Sequence, residues 1–211
     1  MRKLFWQMNV TLDGFTEGPN RELDDTAGFV DPDFDRYASD MLQSIDGILL
    51  GRRTYQLFAD YWPSATGPDA ERMNQLPKVV FSRTLERVDW NNSRLVKTSV
   101  GEEVKRLKQE PGNELALFGS ADLASTFMRL GLIDEYRILV TPVVLGSGTP
   151  MFQPVEDRVP LKLLKATTWS SGMVALSYQP ESLRGRERPK QSSRHDNQTA
   201  GSPRGPVARS R

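Results

Sequence analysis

Cysteine is absent from the 211 residues and histidine occurs once. Without thiols there is no disulfide framework, no thiolate nucleophile and no zinc–thiolate site. The single histidine, His195, sits in a polar C-terminal stretch. The rest of the chain therefore excludes a Ser-His-Asp triad and a histidine-ligated metal, leaving carboxylates, tyrosines or a bound cofactor for any chemistry. No apolar run approaches the roughly 20 residues that cross a bilayer. The N-terminus, MRKLFWQMNV, begins basic but lacks a long apolar stretch and a small-residue cleavage site, so it does not read as a signal peptide. A cytoplasmic location is expected. Neither G-x-G-x-x-G nor G-x-x-x-x-G-K-[ST] occurs in a suitable context, which sets aside the ordinary dinucleotide and phosphate-loop folds.

What is present is ordinary for a globular domain: 37% hydrophobic and 26% charged residues. The net charge of +1 hides an asymmetry, because residues 181–211 carry eight basic and three acidic side chains. Residues 1–180 are accordingly acidic overall. The stretch 181–211 has almost no large apolar residues and is rich in Arg, Ser, Pro and Gly. It is expected to be a disordered basic tail appended to one domain of residues 1–180. It lacks the interleaved aromatics that stack bases, so nucleic-acid binding is not the expected role.

Within residues 1–180, strand-like and helix-like stretches alternate. KLFWQMNVTL is β-rich and closes at Asp13-Gly14. DPDFDRYASDMLQSI reads as a helix with Asp31 as N-cap and Pro32 at its first position. GILLG is a strand entering a helix from Arg52 to about Phe58. PKVVFSRT and SRLVKT are strands, and GEEVKRLKQ is an amphipathic helix. ELALFGS runs into the helix ADLASTFMRLG. EYRILVTPVVLG is a strand followed by the turn GSGTP, and LKLLKATTW with GMVALSYQ forms a hairpin. Such alternation predicts an α/β fold: a mostly parallel central sheet with helices on both faces and an antiparallel C-terminal edge.

In open α/β sheets, ligands bind beyond the carboxyl ends of strands. Four such ends carry unusual polar chemistry: Thr11 to Gly14, Gly51-Arg52-Arg53-Thr54, Ser82-Arg83-Thr84, and Gly119-Ser120-Ala121-Asp122. A glycine before a helix start allows close approach to free N–H groups and the positive end of the helix dipole. Arginines and hydroxyls beside it suit a phosphate.

The stretches LLGRRTYQLF, KVVFSRTL, LALFGSADLASTFM and LIDEYRILVTPVVLGSGTPMF, in this order, together with VTLDG, resemble the dihydrofolate-reductase-like family that includes the C-terminal reductase domain of the bifunctional riboflavin-biosynthesis protein. The likeness spans about residues 1–179. It implies a three-layer α/β/α fold and an NADPH-dependent reductase. By resemblance, Gly51, Arg52, Arg53 and Thr54 bind the adenosine side and bridging phosphates. Ser82, Arg83 and Thr84 take the ribose 2′-phosphate. Gly119, Ser120, Ala121 and Asp122 lie under the pyrophosphate, and Asn9, Val10 and Thr11 lie beside the nicotinamide.

The resemblance also implies a helix carboxylate that protonates the substrate, about sixteen residues before the Gly51 turn, which is Asp35. It implies that Thr141 supports that carboxylate. Asp13, Phe58, Tyr61 and Trp62 are candidate substrate contacts, with turn geometry and core packing as the plainer reading of each. Dihydrofolate reductases carry an arginine just before the strand matching KVVF, whereas Gln75-Leu76-Pro77 stand here. The expected substrate is therefore a small heterocycle or carbonyl compound rather than folate. The alternative is a nucleotide- or flavin-binding module without turnover. Relatives of this kind suggest a homodimer.

Overall fold

The computed structural model describes residues 1–21, 29, 31–154 and 158–181. The expected tail beyond residue 181 lies outside them, as does most of the loop preceding Asp31. Residues Met1–Glu181 form one compact unit.

The elements in chain order are β1 (Leu4–Thr11), β2 (Phe15–Glu17), α1 (Pro32–Ser44), β3 (Ile45–Gly51), α2 (Arg52–Tyr61), α3 (Pro68–Gln75), β4 (Lys78–Phe81), β5 (Ser93–Val96), α4 (Val100–Gln109), β6 (Glu114–Phe118), α5 (Ala121–Arg129), β7 (Glu135–Thr141), β8 (Thr149–Pro150), β9 (Leu161–Thr168) and β10 (Val174–Pro180). Eight strands form one sheet in the order β5-β4-β3-β6-β1-β7-β10-β9. Neighbours from β5 to β7 are parallel, and β10 runs antiparallel to both β7 and β9. This is the expected mostly parallel sheet with its late antiparallel hairpin.

Strands buried on both faces read as near-continuous apolar runs. β1 alternates Leu4, Trp6, Met8 and Val10 onto one face, where they meet Val104 and Leu107 of α4 and Ala124 and Phe127 of α5. Phe5 goes to the other face with Ile48, Leu50, Ala116 and Phe118, under Leu42 of α1, Tyr55 of α2 and Met73 of α3. The result is three layers. α1 starts where the sequence predicts, with the Asp31 carboxylate accepting the Phe34 N–H at 2.9 Å.

Two elements lacked a legible signal. α3 follows Gly67-Pro68, and its C-terminus is closed by a side chain from outside it. Buried Lys78 donates to the carbonyls of Met73 (2.8 Å), Asn74 (3.2 Å) and Leu76 (2.7 Å). Its ammonium lies 4.2 Å from the Trp90 ring centre. The turn GSGTP proves to contain β8, which pairs with β2 in a separate ribbon.

Candidate functional site at the carboxyl ends of the strands

β3 and β6 are neighbours, with Leu50 opposite Phe118, and each runs directly into a helix. At the end of β6, Gly119 (φ +55°) and Ser120 (φ +57°) are both left-handed. Their geometry turns the Ser120 hydroxyl back toward β3, where it accepts the Gly51 N–H at 2.8 Å and shares a 2.8 Å hydrogen bond with the Thr54 hydroxyl. The two turns touch so closely that side chains are excluded. A Cβ at Gly51 would lie 2.9 Å from the Ser120 hydroxyl, and one at Gly119 would lie 3.0 Å from that of Thr54. Neither helix has a capping side chain on its first amides. The starts of α2 and α5 thus sit side by side with uncapped N–H groups, and their positive dipole ends favour an anion.

Two arginines flank these helix starts. Arg52 and Arg83 follow the ends of adjacent strands, where Gly51 pairs with Phe81. Both are exposed, and among the described residues neither guanidinium has a hydrogen bond or ion pair. The Ser82 hydroxyl closes its own turn by accepting the N–H groups of Thr84 (3.2 Å) and Leu85 (3.0 Å), which leaves Thr84 exposed beside Arg83.

Arg53, unlike Arg52, is engaged within the protein. Its guanidinium binds both carboxylate oxygens of Glu17, at 2.8 and 2.7 Å, and the Thr149 hydroxyl donates to the same carboxylate at 2.7 Å. Glu17 is buried, and the Arg53 hydrogen bonds hold its carboxyl below the usual range despite that burial. Arg53 therefore ties the β2–β8 ribbon to α2. Asp122 is exposed in the first turn of α5, near enough to Arg53 to support its charge. A carboxylate at that rim suits a ribose hydroxyl better than a phosphate.

β1 supplies the floor. β6 ends at Phe118 opposite Gln7, whereas β1 continues with β7 alone to Thr11 opposite Thr141. Val10 is buried on the opposite face, in the α4–α5 layer, and Asn9 is exposed although it lies on a central strand. An exposed position there marks an opening between the covering helices. The Thr11 hydroxyl donates to Asp13 at 2.7 Å. Asp13 also accepts the N–H groups of Leu145 (3.2 Å) and Gly146 (2.7 Å). These bonds, that from Thr11 foremost, hold its carboxyl below the usual range. Asp13 thus anchors the loop after β7.

The model of the RibD C-terminal domain matches residues 2–175. The chain belongs to this family. It is 41% identical over 182 residues to the uncharacterized protein YyaP of Bacillus subtilis, covering 84% of this chain and 94% of that protein. Among solved structures it resembles RibD of Acinetobacter baumannii (TM-score 0.64, 18% identity, 86% of this chain and 58% of that one). It also resembles dihydrofolate reductase from Enterococcus faecalis, solved with NADP(H) (TM-score 0.56, 10% identity, 85% and 97% covered). The three-layer architecture is therefore that of the dihydrofolate-reductase-like fold.

Against this RibD-type frame, the remaining expected residues divide. Asp35 is exposed on α1, while Phe34 and Tyr37 turn inward against Trp169. Thr141 is buried at the end of β7, and no hydrogen bond joins it to Asp35. Phe58 lies 6.0 Å from Phe118 and 6.3 Å from Trp62 between ring centres, so Phe58 and Trp62 are chiefly packing residues. Tyr61 is exposed at the end of α2. A cavity of about 350 Å³ opens at the opposite, amino-terminal edge of the sheet. Its Arg2 is paired with Asp46 and its Arg106 with Glu110, and it has no part in the helix starts described above.

Sequence reasoning missed Glu17 and Gln7. Glu17 ends the three-residue strand β2, too short to show a periodic pattern, and its partners are 36 and 132 residues away in the chain. Gln7 did carry a signal: a carboxamide within an otherwise apolar central strand.

Proposed function

We propose that this RibD-type domain is an NADPH-dependent reductase that transfers hydride to a small planar heterocycle or carbonyl compound, of pyrimidine or pterin type rather than folate. The observation that carries the reading is the pair of uncapped helix starts joined through Ser120, with the unpaired Arg52 and Arg83 on neighbouring strand ends. These residues fit a phosphorylated dinucleotide. Arg83, Thr84 and the exposed edge of Ser82 would hold the 2′-phosphate, the first amides of α2 and α5 with Arg52 the pyrophosphate, and Asn9 to Thr11 the nicotinamide end. The bound cofactor would supply the hydride. The chain's own residues orient the reactants, and Asp35, open to solvent, would relay the proton, with Thr141 at the end of β7 as its proposed support. Gln75-Leu76-Pro77, lacking a cation, disfavours the glutamate tail of folate.

Fluorescence titration with NADPH and NADH tests this. NADPH is expected to bind about tenfold tighter or better, because a phosphate paired to arginine contributes charge-assisted hydrogen bonds. Arg83→Ala is expected to erase the preference while leaving NADH binding unchanged. No NADPH binding at millimolar cofactor would overturn the reading. The exposure of Asp35 favours one alternative, a nucleotide- or flavin-binding module without turnover. Stoichiometric binding with no NADPH oxidation across a panel of heterocycles would select it.

A further inference from the structure

Gln7 is 5% exposed, and neither its carboxamide oxygen nor its nitrogen has a hydrogen-bond partner among the described residues. A buried amide without partners costs several kcal/mol on transfer from water, and native proteins keep few such groups. Its position gives a reason for the exception. Along one face of β1 the exposure runs from Phe5 at 0% through Gln7 at 5% to the exposed Asn9. Gln7 is therefore the last covered residue before the central strand opens to the cleft. Its lateral neighbours are Phe118 on β6 and Arg137 on β7. Phe118 is engaged with the Phe58 ring. The Arg137 guanidinium is held by Glu114 (2.9 and 3.0 Å) and Glu135 (2.8 Å), so neither neighbour can satisfy the amide.

A carboxamide presents a donor and an acceptor side by side in one plane. Its matching partner is another planar amide: a ring C=O next to a ring N–H, or a primary carboxamide. From this geometry we infer that Gln7 is a recognition residue that pairs, edge to edge, with a planar amide of the bound ligand. This inference rests on the reductase reading, which offers two sources of such an edge: the lactam or imide of a heterocyclic substrate, and the carboxamide of the nicotinamide. An apolar residue at this position would not discriminate such a ligand. A site built to hydrogen-bond strongly rejects an analogue lacking the group.

The test uses the full chain and Gln7→Met, which keeps the side-chain length and removes the amide. Removal of an unsatisfied group should leave the thermal midpoint unchanged or raised, so loss of folding is not the expected confounder. Three probes separate the sources: NADPH, 2′-phospho-ADP-ribose, which lacks the nicotinamide, and the fluorescent dioxopteridine lumazine. Expected is a weakening of about tenfold or more, the scale of an unmade hydrogen bond in a buried site, for lumazine if the substrate carries the edge and for NADPH if the nicotinamide does. The affinity for 2′-phospho-ADP-ribose should not move. If Gln7→Met changes neither NADPH nor lumazine affinity, the inference falls, also where wild type ignores lumazine. Failure of wild type to bind 2′-phospho-ADP-ribose would instead sink the cofactor reading and leave the lumazine comparison to decide on Gln7.

Discussion

Ser120 holds two helix starts in register with one hydroxyl. Replacing it with alanine removes the acceptor for the Gly51 N–H and the partner of Thr54. Ser120→Ala is expected to lower the urea midpoint by an amount equivalent to about 1–2 kcal/mol and to weaken NADPH more than that loss alone implies. Gly119→Ala tests the same contact from the other side. Its Cβ would press on Thr54 at 3.0 Å with φ at +55°, so a larger destabilisation is expected, read by the same denaturation. The glycines at positions 51 and 119 were legible because a sharp turn between an apolar strand and a helix calls for a residue without a Cβ; the side chains of Ser120 and Thr54 that press on them were not. The division of labour between Arg52 and Arg53 was not. Adjacent arginines look alike in a sequence, and only the fold brings Glu17 to one of them.

At the scale of elements, the β2–β8 ribbon is fastened through the Glu17–Arg53 pair. Arg53 holds the Glu17 carboxyl below its ordinary value of 4.5. A carboxyl lowered on folding contributes stability that is complete above that ordinary value and is lost as pH falls through the depressed one. Glu17→Gln should therefore flatten the acid side of the stability profile, and the freed Arg53 should bring added affinity for NADPH. An unchanged profile between pH 5 and pH 3 would refute the assignment. α3 depends on Lys78 in a comparable way, because the ammonium terminates it by three carbonyl contacts. Lys78→Met is expected to cost about 1–3 kcal/mol by leaving those acceptors unmet. Burial pushes this ammonium down to about 8 from 10.5. The unfolded chain then binds the proton more tightly, so this group's contribution makes the native state more stable as pH climbs from about 8 toward 10.5. Helix α1 was readable from its Asp31 cap, and α2, α4 and α5 from apolar spacing after a strand or turn. α3 was not, since its stop signal is a lysine two residues beyond its own C-cap.

For the whole molecule, the sheet order could not be read from the chain, although the alternation of strands and helices established that the sheet was mostly parallel. β6 inserts between β3 and β1 only in three dimensions, and with it come the contact of the two turns and the exposed Asn9. The antiparallel edge bears on assembly. β9 is exposed along almost its whole length, with Leu161, Leu163 and Leu164 facing solvent. An uncovered edge strand with apolar residues invites pairing. We expect a homodimer through this edge. Light scattering should give twice the chain mass for wild type and a monomer for Leu163→Lys, while a monomeric wild type would remove the expectation.

The bridge from Ser120 to Gly51 spans 69 positions of chain. Closing so long a loop is slow relative to local structure, and during synthesis α5 emerges well after β3 and α2. The paired arrangement of the two helix starts at this edge is thus acquired late, once α5 has been added. Nascent or C-terminally truncated chains ending before Gly119 lack the Ser120 bridge and are expected not to capture nucleotide.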